Sequence, residues 1–498
     1  MYIMSTRKCK DIDKYTIDKI GIPSIILMEN ASNEVISNIL ELKGNFIVFC
    51  GIGNNGGDGL AIARKLILQN RDVHIVVIGG LEKCSNEFSV NLNILNNLTS
   101  NISFINNENN LDEFFTNLKD YEIAIDCIFG IGLNRKLNDF YIKLINTINK
   151  KFKVKISIDV PSGLNADNGE PMGAAIEADI SYTFEVIKRG FIEYNALKYL
   201  GELNVLNIGI PEIVKKKNSE NIFILEKEQY SNLLNRRSLY GHKGTYGKIS
   251  ILAGSKGYTG AAYIATEACV KSGAGLTTLI SSRYVQDKLS CKLIEAMTLD
   301  IEERDKVKET LNNSDVIAIG PGTTGDTLYK DILDYIEDYK GKFFVVDAGA
   351  LQLLTKDKSI MKKIKGKAIF TPHPGEMAKI IGESIEFVED NRIEVAKKYA
   401  KENNIVVVLK GYNTVITNGD DVYINNTGNS KMASGGMGDC LTGIISALLG
   451  QNHSIMNSAL LGTYIHGLSG EMASSEKYST VASEVIENIS KVMDYIAR

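Results

Sequence analysis

Unbroken runs of β-branched and apolar residues, each closed by glycines and followed by an amphipathic stretch, leave this chain very few folds. In the first half such runs at Phe46–Cys50, Val73–Ile78, Ile123–Cys127, Val154–Asp159, Ile180–Phe184 and Leu203–Ile208 predict strands, with helices beginning near Gly59, Phe88, Leu111 and Lys136. A strand wet on one face would alternate polar with apolar residues, so unbroken runs predict a parallel sheet covered on both faces, the α/β class. Ligands in such sheets bind beyond the carboxyl ends of the strands. Glycine clusters fall at those ends: Gly51 to Gly59 after the first strand, Phe129-Gly130-Ile131-Gly132 after the third and Pro161-Ser162-Gly163 after the fourth.

The rhythm breaks at a charged segment, Glu212 to Glu220, that has no apolar period and predicts a domain seam, giving domains of 1–217 and 218–498. It then restarts. Strands are predicted at Lys248–Leu252, Leu276–Ile280, Val316–Ile319, Phe343–Asp347, Ala368–Phe370, Ile405–Leu409, Thr414–Thr417 and Asp421–Ile424. Long helices are predicted at Thr259–Ser272, Asp390–Glu402, Gly438–Leu449, Met456–Ser474 and Val481–Ala497, the closing ones packing on a finished sheet. A chain of 498 residues suits two domains, each large enough for its own core.

Composition narrows the partners. With 56 basic and 60 acidic side chains the net charge is −4 and no long basic block occurs, so nothing points to nucleic acid or a membrane surface. No apolar run approaches the roughly 18 residues of a membrane span, and the charged first residues do not resemble a secretion signal, so a cytoplasmic location is expected. The seven cysteines form no CxxC pair and read as reduced core residues.

In the second half the chemistry concentrates at Asn426 to Gly443, where Gly435, Gly436 and Gly438 precede an apolar helical pattern, Leu441, Ile444, Ile445 and Leu448. Turning amides and a helix amino end favour phosphate oxygens. Asp439 would repel those oxygens, so its expected role is to take a proton from a hydroxyl beside the phosphate; the bland alternative is an acid that only complements the helix dipole. Turns at Gly320-Pro321-Gly322, Thr371 to Glu376 and Lys410-Gly411 also follow strands. Four turns on one edge, the last carrying an acid, fit a nucleotide site next to an acceptor hydroxyl, with Lys410 or a cation offsetting phosphate charge.

These residues, with Gly241-His242-Lys243-Gly244, Ala253-Gly254-Ser255, Ser272-Gly273-Ala274-Gly275 and His373-Pro374-Gly375-Glu376-Met377, resemble the ADP/ATP-dependent NAD(P)H-hydrate dehydratase domain of the ribokinase-like superfamily, over nearly all of residues 220 to 498. The resemblance implies a substrate whose hydrated nicotinamide ring carries a hydroxyl at C6; phosphorylation makes it a leaving group, and elimination restores NADH or NADPH. It implies ADP as co-substrate with Mg2+, the nucleotide contacting Lys410-Gly411-Tyr412-Asn413-Thr414 and Asn429-Ser430-Lys431-Met432-Ala433-Ser434-Gly435-Gly436-Met437-Gly438. The hydrate would contact Gly322, His373-Pro374-Gly375-Glu376-Met377-Ala378-Lys379 and Asp439, the base. Three departures spare Asp439 and the glycines: Ser430-Lys431-Met432 for a Pro-Gly-Met type segment, Met437 for a common Thr, and Gly349 for a usual second Asp. His373 also reads as a capping or turn histidine and Lys410 as a solvated strand-end lysine.

In the first half, Gly53-Asn54-Asn55-Gly56-Gly57-Asp58-Gly59 lacks the GxGxxG spacing, and no acid ends the second strand, which disfavours a plain NAD-dependent dehydrogenase. Its side-chain oxygens suit a hard cation or ribose hydroxyls, and Asp126, Asp159 and Ser162 end two other strands. With Gly21 to Ser24, Leu27 to Ala31, Asp159-Val160-Pro161-Ser162-Gly163, Thr183-Phe184, Lys188 and Gly209-Ile210-Pro211, this half resembles the Rossmann-like NAD(P)H-hydrate epimerase domain over roughly residues 9 to 215. The resemblance implies that Asn55, Asp126 and Ser162 bind K+. It implies that Asn54 to Asp58, Gly130-Ile131-Gly132-Leu133-Asn134-Arg135-Lys136 and Asp159 hold the hydrate. Asp159 is the expected acid/base for inverting C6, against a structural role capping the Pro161–Gly163 turn; Lys188 would pair with substrate phosphate or lie on the surface.

The expectation is a bifunctional enzyme, an N-terminal Rossmann-like α/β/α domain that epimerises R- and S-NADHX and NADPHX and a C-terminal ribokinase-like α/β domain that dehydrates the S form, as a homo-oligomer. One alternative is a kinase of a small hydroxymethyl heterocycle, leaving a stable phosphorylated product; another makes the first half a non-catalytic ligand-binding module.

Overall fold

The structure, a computed structural model, describes residues 1–323 and 341–498. The chain divides into two compact units, Met1–Ile222 and Phe223–Arg498. The charged segment expected as a seam carries the helix Glu212–Asn218, which buries Val214 within the first unit.

The first unit is built on seven parallel strands in the order Ile102–Ile105, Val73–Ile78, Phe46–Cys50, Ile123–Cys127, Val154–Ile158, Ile180–Phe184 and Glu202–Leu206. Alternate residues of each run serve opposite faces. Val48, Ile75 and Ile125 join Leu60, Ile62 and Leu66 of the helix Asn54–Leu68 in one core, while Ile47, Phe49, Val76 and Ala124 join Leu144, Ile145 and Ile148 of the helix Asp139–Lys151 in another. Burial on both faces is what unbroken apolar runs require. Sequence order reverses between Phe46–Cys50 and Ile123–Cys127, the kind of switch point where a crevice opens.

Two features of this unit depart from the sequence reading. The helix expected near Gly59 begins at Asn54, so the glycine-rich stretch is its first turns and not a loop. Glycine is a poor helix former, but space decides here: a Cβ on Gly56 would sit 1.6 Å from the Gly51 carbonyl oxygen, and one on Gly59 2.6 Å from Cys127 Cβ. The short strand Ile3–Met4 pairs in parallel with Ile187–Lys188 and leads into the helix Thr6–Tyr15; two-residue strands leave no periodic signal.

The second unit holds a ten-stranded sheet in the order Ile222–Phe223, Val422–Asn425, Thr414–Thr417, Val406–Leu409, Ala368–Phe370, Phe343–Val346, Val316–Ile319, Lys248–Leu252, Leu276–Ser281 and Met297–Asp300. It is parallel from Val406–Leu409 to Met297–Asp300 and antiparallel through the hairpin Val406–Leu409, Thr414–Thr417, Val422–Asn425. Helices Thr259–Lys271, Met437–Gly450, Ile455–Ser474 and Ala482–Ala497 share one core with Ile249, Ile251, Val316 and Ala318, as expected of closing helices on a complete sheet. Among the described residues no helix is long and apolar enough to cross a membrane.

Candidate active sites

In the first unit a cavity of about 700 Å3 opens at the strand ends, walled by Gly51, Ile128, Gly130, Asp159 and Phe184 and closed from the side by Cys9, Ile12, Asp13 and Ile17 of the amino-terminal segment. Asp159 follows the strand Val154–Ile158 at φ 65°, a left-handed conformation that aspartate tolerates better than most side chains. Its Oδ1 lies 2.7 Å from Lys188 Nζ and its Oδ2 accepts the Ile131 amide at 3.1 Å. Lys188, 2% exposed and also hydrogen-bonded to Thr183 Oγ1 at 2.6 Å, is therefore neither a surface lysine nor a free phosphate partner. Burial works against its charge, but Asp159, Cys9 and Asp13 outweigh it and hold the ammonium above its ordinary range.

Asp159 does not cap the Pro161–Gly163 turn; Asp126 does. Its buried carboxylate accepts the Ser162 amide at 2.8 Å, Ser162 Oγ at 2.5 Å, Ser157 Oγ at 2.9 Å and the Ile128 amide at 3.2 Å. Beside it Asn55 donates from Nδ2 to the Phe129 carbonyl at 3.0 Å, leaving Asn55 Oδ1 buried without a partner among the described residues.

Asn54, Asn55, Asp58, Gly130 to Arg135 and Asp159 all line this cavity. Gly56 and Gly57 do not, since they give room to Gly51 and to Met28, whose Cε would lie 2.6 Å from a Cβ at Gly57. Lys136 is exposed and stands outside the lining. At Gly130 a Cβ would strike Asp159 Oδ2 at 2.6 Å, so glycine is what admits the carboxylate. Burial, with help from Asp159, Asp13 and Glu87, drives Asp58 well above the carboxylate range.

The second site gathers at the carboxyl ends of three neighbouring strands. Asp347, after Phe343–Val346, takes Lys410 Nζ on Oδ1 at 2.7 Å and Thr442 Oγ1 on Oδ2 at 2.9 Å. Lys410, after Val406–Leu409, also lies 3.8 Å from Glu376 Oε2. It is thus a mostly enclosed ion-pair partner and not a solvated strand end. Burial opposes its charge; Asp347, Glu376 and Asp439 together raise it.

Asp439 stands in the first turn of the helix Met437–Gly450, which begins after Gly436 at φ 91°. It forms no hydrogen bond or ion pair with a described residue. Burial pushes it up to about 6, with Asp347 and Glu376 adding and Lys410 opposing. A Cβ on Gly438 would lie 3.2 Å from Lys410 Nζ, so that glycine lets the lysine approach the helix end.

His373 caps the helix Pro374–Ile381, accepting the Gly375 amide at 3.1 Å while Glu376 accepts the His373 amide at 2.8 Å. Within that segment Glu376 reaches Lys410, whereas Met377 and Ala378 are buried in the core and Lys379 is exposed. Gly322, at φ 64°, accepts Ser255 Oγ at 2.7 Å. Lys410-Gly411-Tyr412-Asn413 is a hairpin turn with Gly411 at φ 143° and Asn413 at φ 51°, closed by Thr414 Oγ1 donating to the Gly411 carbonyl at 3.0 Å. In the loop before the helix, Asn429 accepts the Lys431 amide and donates to Ser474, Lys431 donates to the Ser474 carbonyl and Ser434 to that of Thr480. A Cβ at Gly435 would meet nothing within 4 Å.

Sequence reasoning missed Asp347 as the anchor of Lys410, Thr442 behind it, Arg392, whose Nη2 donates to the Leu409 and Lys410 carbonyls at 3.3 and 3.4 Å, and His466. His466 Nε2 is buried with no partner among the described residues, and burial, with Lys410 adding, lowers the ring to about 4. No local pattern marks these residues; each is defined by a neighbour distant in sequence.

The profile of the family described as NAD(P)H-hydrate dehydratase matches residues 249–491, and that described as YjeF-related protein N-terminus matches residues 24–190. The bifunctional NAD(P)H-hydrate repair enzyme Nnr of Moorella thermoacetica is 36% identical over 494 residues, covering 96% of this chain and 93% of its own. That of Escherichia coli is 30% identical, covering 90% and 85%. A solved ribokinase-like superfamily protein from Enterococcus faecalis is 27% identical with a TM-score of 0.53, over 56% of this chain and 97% of its own. With a full-length relative at that identity and both units matched, the chain belongs to the bifunctional NAD(P)H-hydrate repair enzymes.

Proposed function

We propose that the first unit interconverts the R and S hydrates of NADH and NADPH and that the second dehydrates the S form at the expense of ADP, giving AMP and orthophosphate. The observation that carries this reading is Asp439: an enclosed acid, unpaired among the described residues, at a helix amino end beside Lys410, whose charge is anchored by Asp347. Asp439 takes the proton of the C6 hydroxyl as its oxygen attacks the terminal phosphorus of ADP. Helix amides and Lys410 offset the charge on the phosphoryl oxygens. Elimination of orthophosphate from C6 then restores the dihydropyridine. In the first unit Asp159, fixed by Lys188 and the Ile131 amide, handles protons at C6.

The residues of the first unit fit K+. The orphaned Asn55 Oδ1 stands with the Phe129 carbonyl, Ser162 Oγ and Asp126 in an all-oxygen set, the donors a hard cation takes. Such an ion would anchor substrate phosphate next to the Asn54–Asp58 helix end. Mg2+ in the second unit would enter with the nucleotide, held by its phosphate oxygens and water rather than by a dedicated protein cage. No step is assigned to that ion.

A small-alcohol kinase with a silent first unit is not favoured, because relatives named bifunctional NAD(P)H-hydrate repair enzymes match over 96% and 100% of this chain. The reading includes a homo-oligomer in the cytoplasm; light scattering checks the first part. The decisive experiment incubates the protein with mixed hydrates, with and without ADP or ATP, and follows the absorbance band of the reduced nicotinamide. Recovery of that band with orthophosphate is expected. A stable phosphorylated alcohol would sink the proposal.

A further inference from the structure

The cavity of the first unit contains a carboxylate that the proposed chemistry has not used. Five acids line it: Asp13, Asp58, Glu87, Asp159 and Glu185. Glu185 is spent on the amides of Ile208, Gly209 and Ile210 and on Lys215, and Glu87 accepts Ser24 Oγ. Asp159 holds Lys188 and the Ile131 amide. The carboxylates of Asp13 and Asp58 have no hydrogen-bond or ion-pair partner among the described residues. Asp58 lies in the second turn of the helix Asn54–Leu68, where burial raises it well above the carboxylate range.

Asp13 is placed here by topology. Met4 pairs with Lys188 in the two-stranded ladder, and the helix that starts two residues later turns Cys9, Ile12 and Asp13 onto the cavity wall. Asp13 therefore lines the same space as the Lys188–Asp159 pair. Resting on the epimerase reading of this cavity, we propose that Asp13 is a second catalytic residue there, exchanging a proton with the C6 oxygen on one face of the ring while Asp159 serves the other. Burial, reinforced by Asp159 and Glu185 and opposed by Lys188, pushes Asp13 up to about 6, so it can both carry and release a proton near neutrality.

The step balances. Protonated Asp13 gives its proton to the departing C6 hydroxyl, the C6–O bond breaks, and the ring nitrogen lone pair forms the N1–C6 double bond as water leaves. A water molecule adds to the opposite face; its oxygen makes the new C6–O bond, the double-bond electrons return to nitrogen, and Asp159 takes the water's proton on a free lone pair. One water is released and one consumed, with no redox change. The net transfer of a proton from Asp13 to Asp159 is reversed by the opposite reaction or by exchange with cavity water.

Full-length Asp13→Asn is supplied with pure R or pure S hydrate and excess ADP, and cofactor recovery is followed. From the R hydrate the turnover falls about 100-fold with KM changed less than about threefold, while the rate from the S hydrate, which needs only the second unit, is unchanged. Asp13→Glu, which keeps the acid, regains about a tenth or more of the lost rate. Wild-type epimerisation in heavy-oxygen water without nucleotide places label at C6 with each inversion. Wild-type turnover by Asp13→Asn, a loss confined to KM, no recovery in Asp13→Glu or inversion without label would each overturn the assignment. Asp159→Asn separates the two levels: if it also epimerises at the wild-type rate, the reading of the cavity falls and this inference with it. If it is dead while Asp13→Asn is fully active, Asp13 alone is excluded.

Discussion

Lys188 in the first unit and Lys410 in the second each sit 2.7 Å from an aspartate that ends a strand, but the two pairs leave the neighbouring chemistry in different states. In the first unit the paired aspartate, Asp159, is itself on the cavity wall, so the ion pair fixes the proposed acid/base directly. In the second, Lys410 is held from behind by Asp347, and Asp439 is left enclosed and, among the described residues, unpaired, with burial pushing it up to about 6. One design fixes a charge, and the other keeps a proton acceptor poised near neutrality.

Substitutions that remove one acid give the largest contrast. Asp439→Asn is expected to lower dehydration by about 10³-fold or more and leave epimerisation at the wild-type rate, and Asp159→Ala the reverse; separate assays with each pure hydrate check both. Equal loss of both reactions in either variant would end the view of two independent sites.

The pairs should also differ in stability. Asp159→Ala strands the ammonium of Lys188, which is 2% exposed, and should destabilise the first unit by about 3–5 kcal/mol, whereas Lys188→Met with Asp159→Ala together should recover much of that. Denaturant titration of the single and double variants measures it. At Lys410, 19% exposed and also near Glu376, Asp347→Asn should cost less than Asp159→Ala does.

A third test uses pH. Asp439 must be ionised to act as a base, so kcat/KM for dehydration should fall about tenfold per unit below the raised pKa of about 6. Asp347 helps to raise that value, so Asp347→Asn should move the limb to lower pH; a limb that stays in place would show that Asp439 is not the titrating base.

The smallest effect concerns the cost of holding Asp439 enclosed. An acid whose folded pKa is raised contributes stability below its unfolded value of 3.8 that is lost as pH rises through about 6. Asp439→Asn should therefore stabilise the protein by on the order of 1 kcal/mol or more at neutral pH, with the effect vanishing well below the unfolded pKa, at about pH 3. Melting curves at the two pH values check the sign.

Much of the fold was legible because long-range burial writes itself into local composition. Val48 and Phe49 are both apolar because helices cover both faces of the sheet, and that fact alone called for parallel strands. Asp439 and the glycines before it were legible for a related reason, since a helix amino end has a local chemical grammar. Where space rather than propensity decided, the reading slipped, as at Gly56 and Gly57, which lie in a helix and are glycine because the backbone of Gly51 and the side chain of Met28 leave no room for a Cβ.

By itself the sequence determined the α/β class, the position of most strands, the glycine-rich turns that end them, the acid Asp159 after one strand and the acid Asp439 behind the glycines of a helix amino end. Only the tertiary structure decided what those acids face. Lys188 meets Asp159, Lys410 meets Asp347 and Thr442, and Asp13 enters a cavity built by residues far along the chain. The reason is physical: backbone periodicity is set by neighbours within a few residues, whereas the protonation and pairing of a side chain are set by burial and by charges across space, which a linear chain does not display.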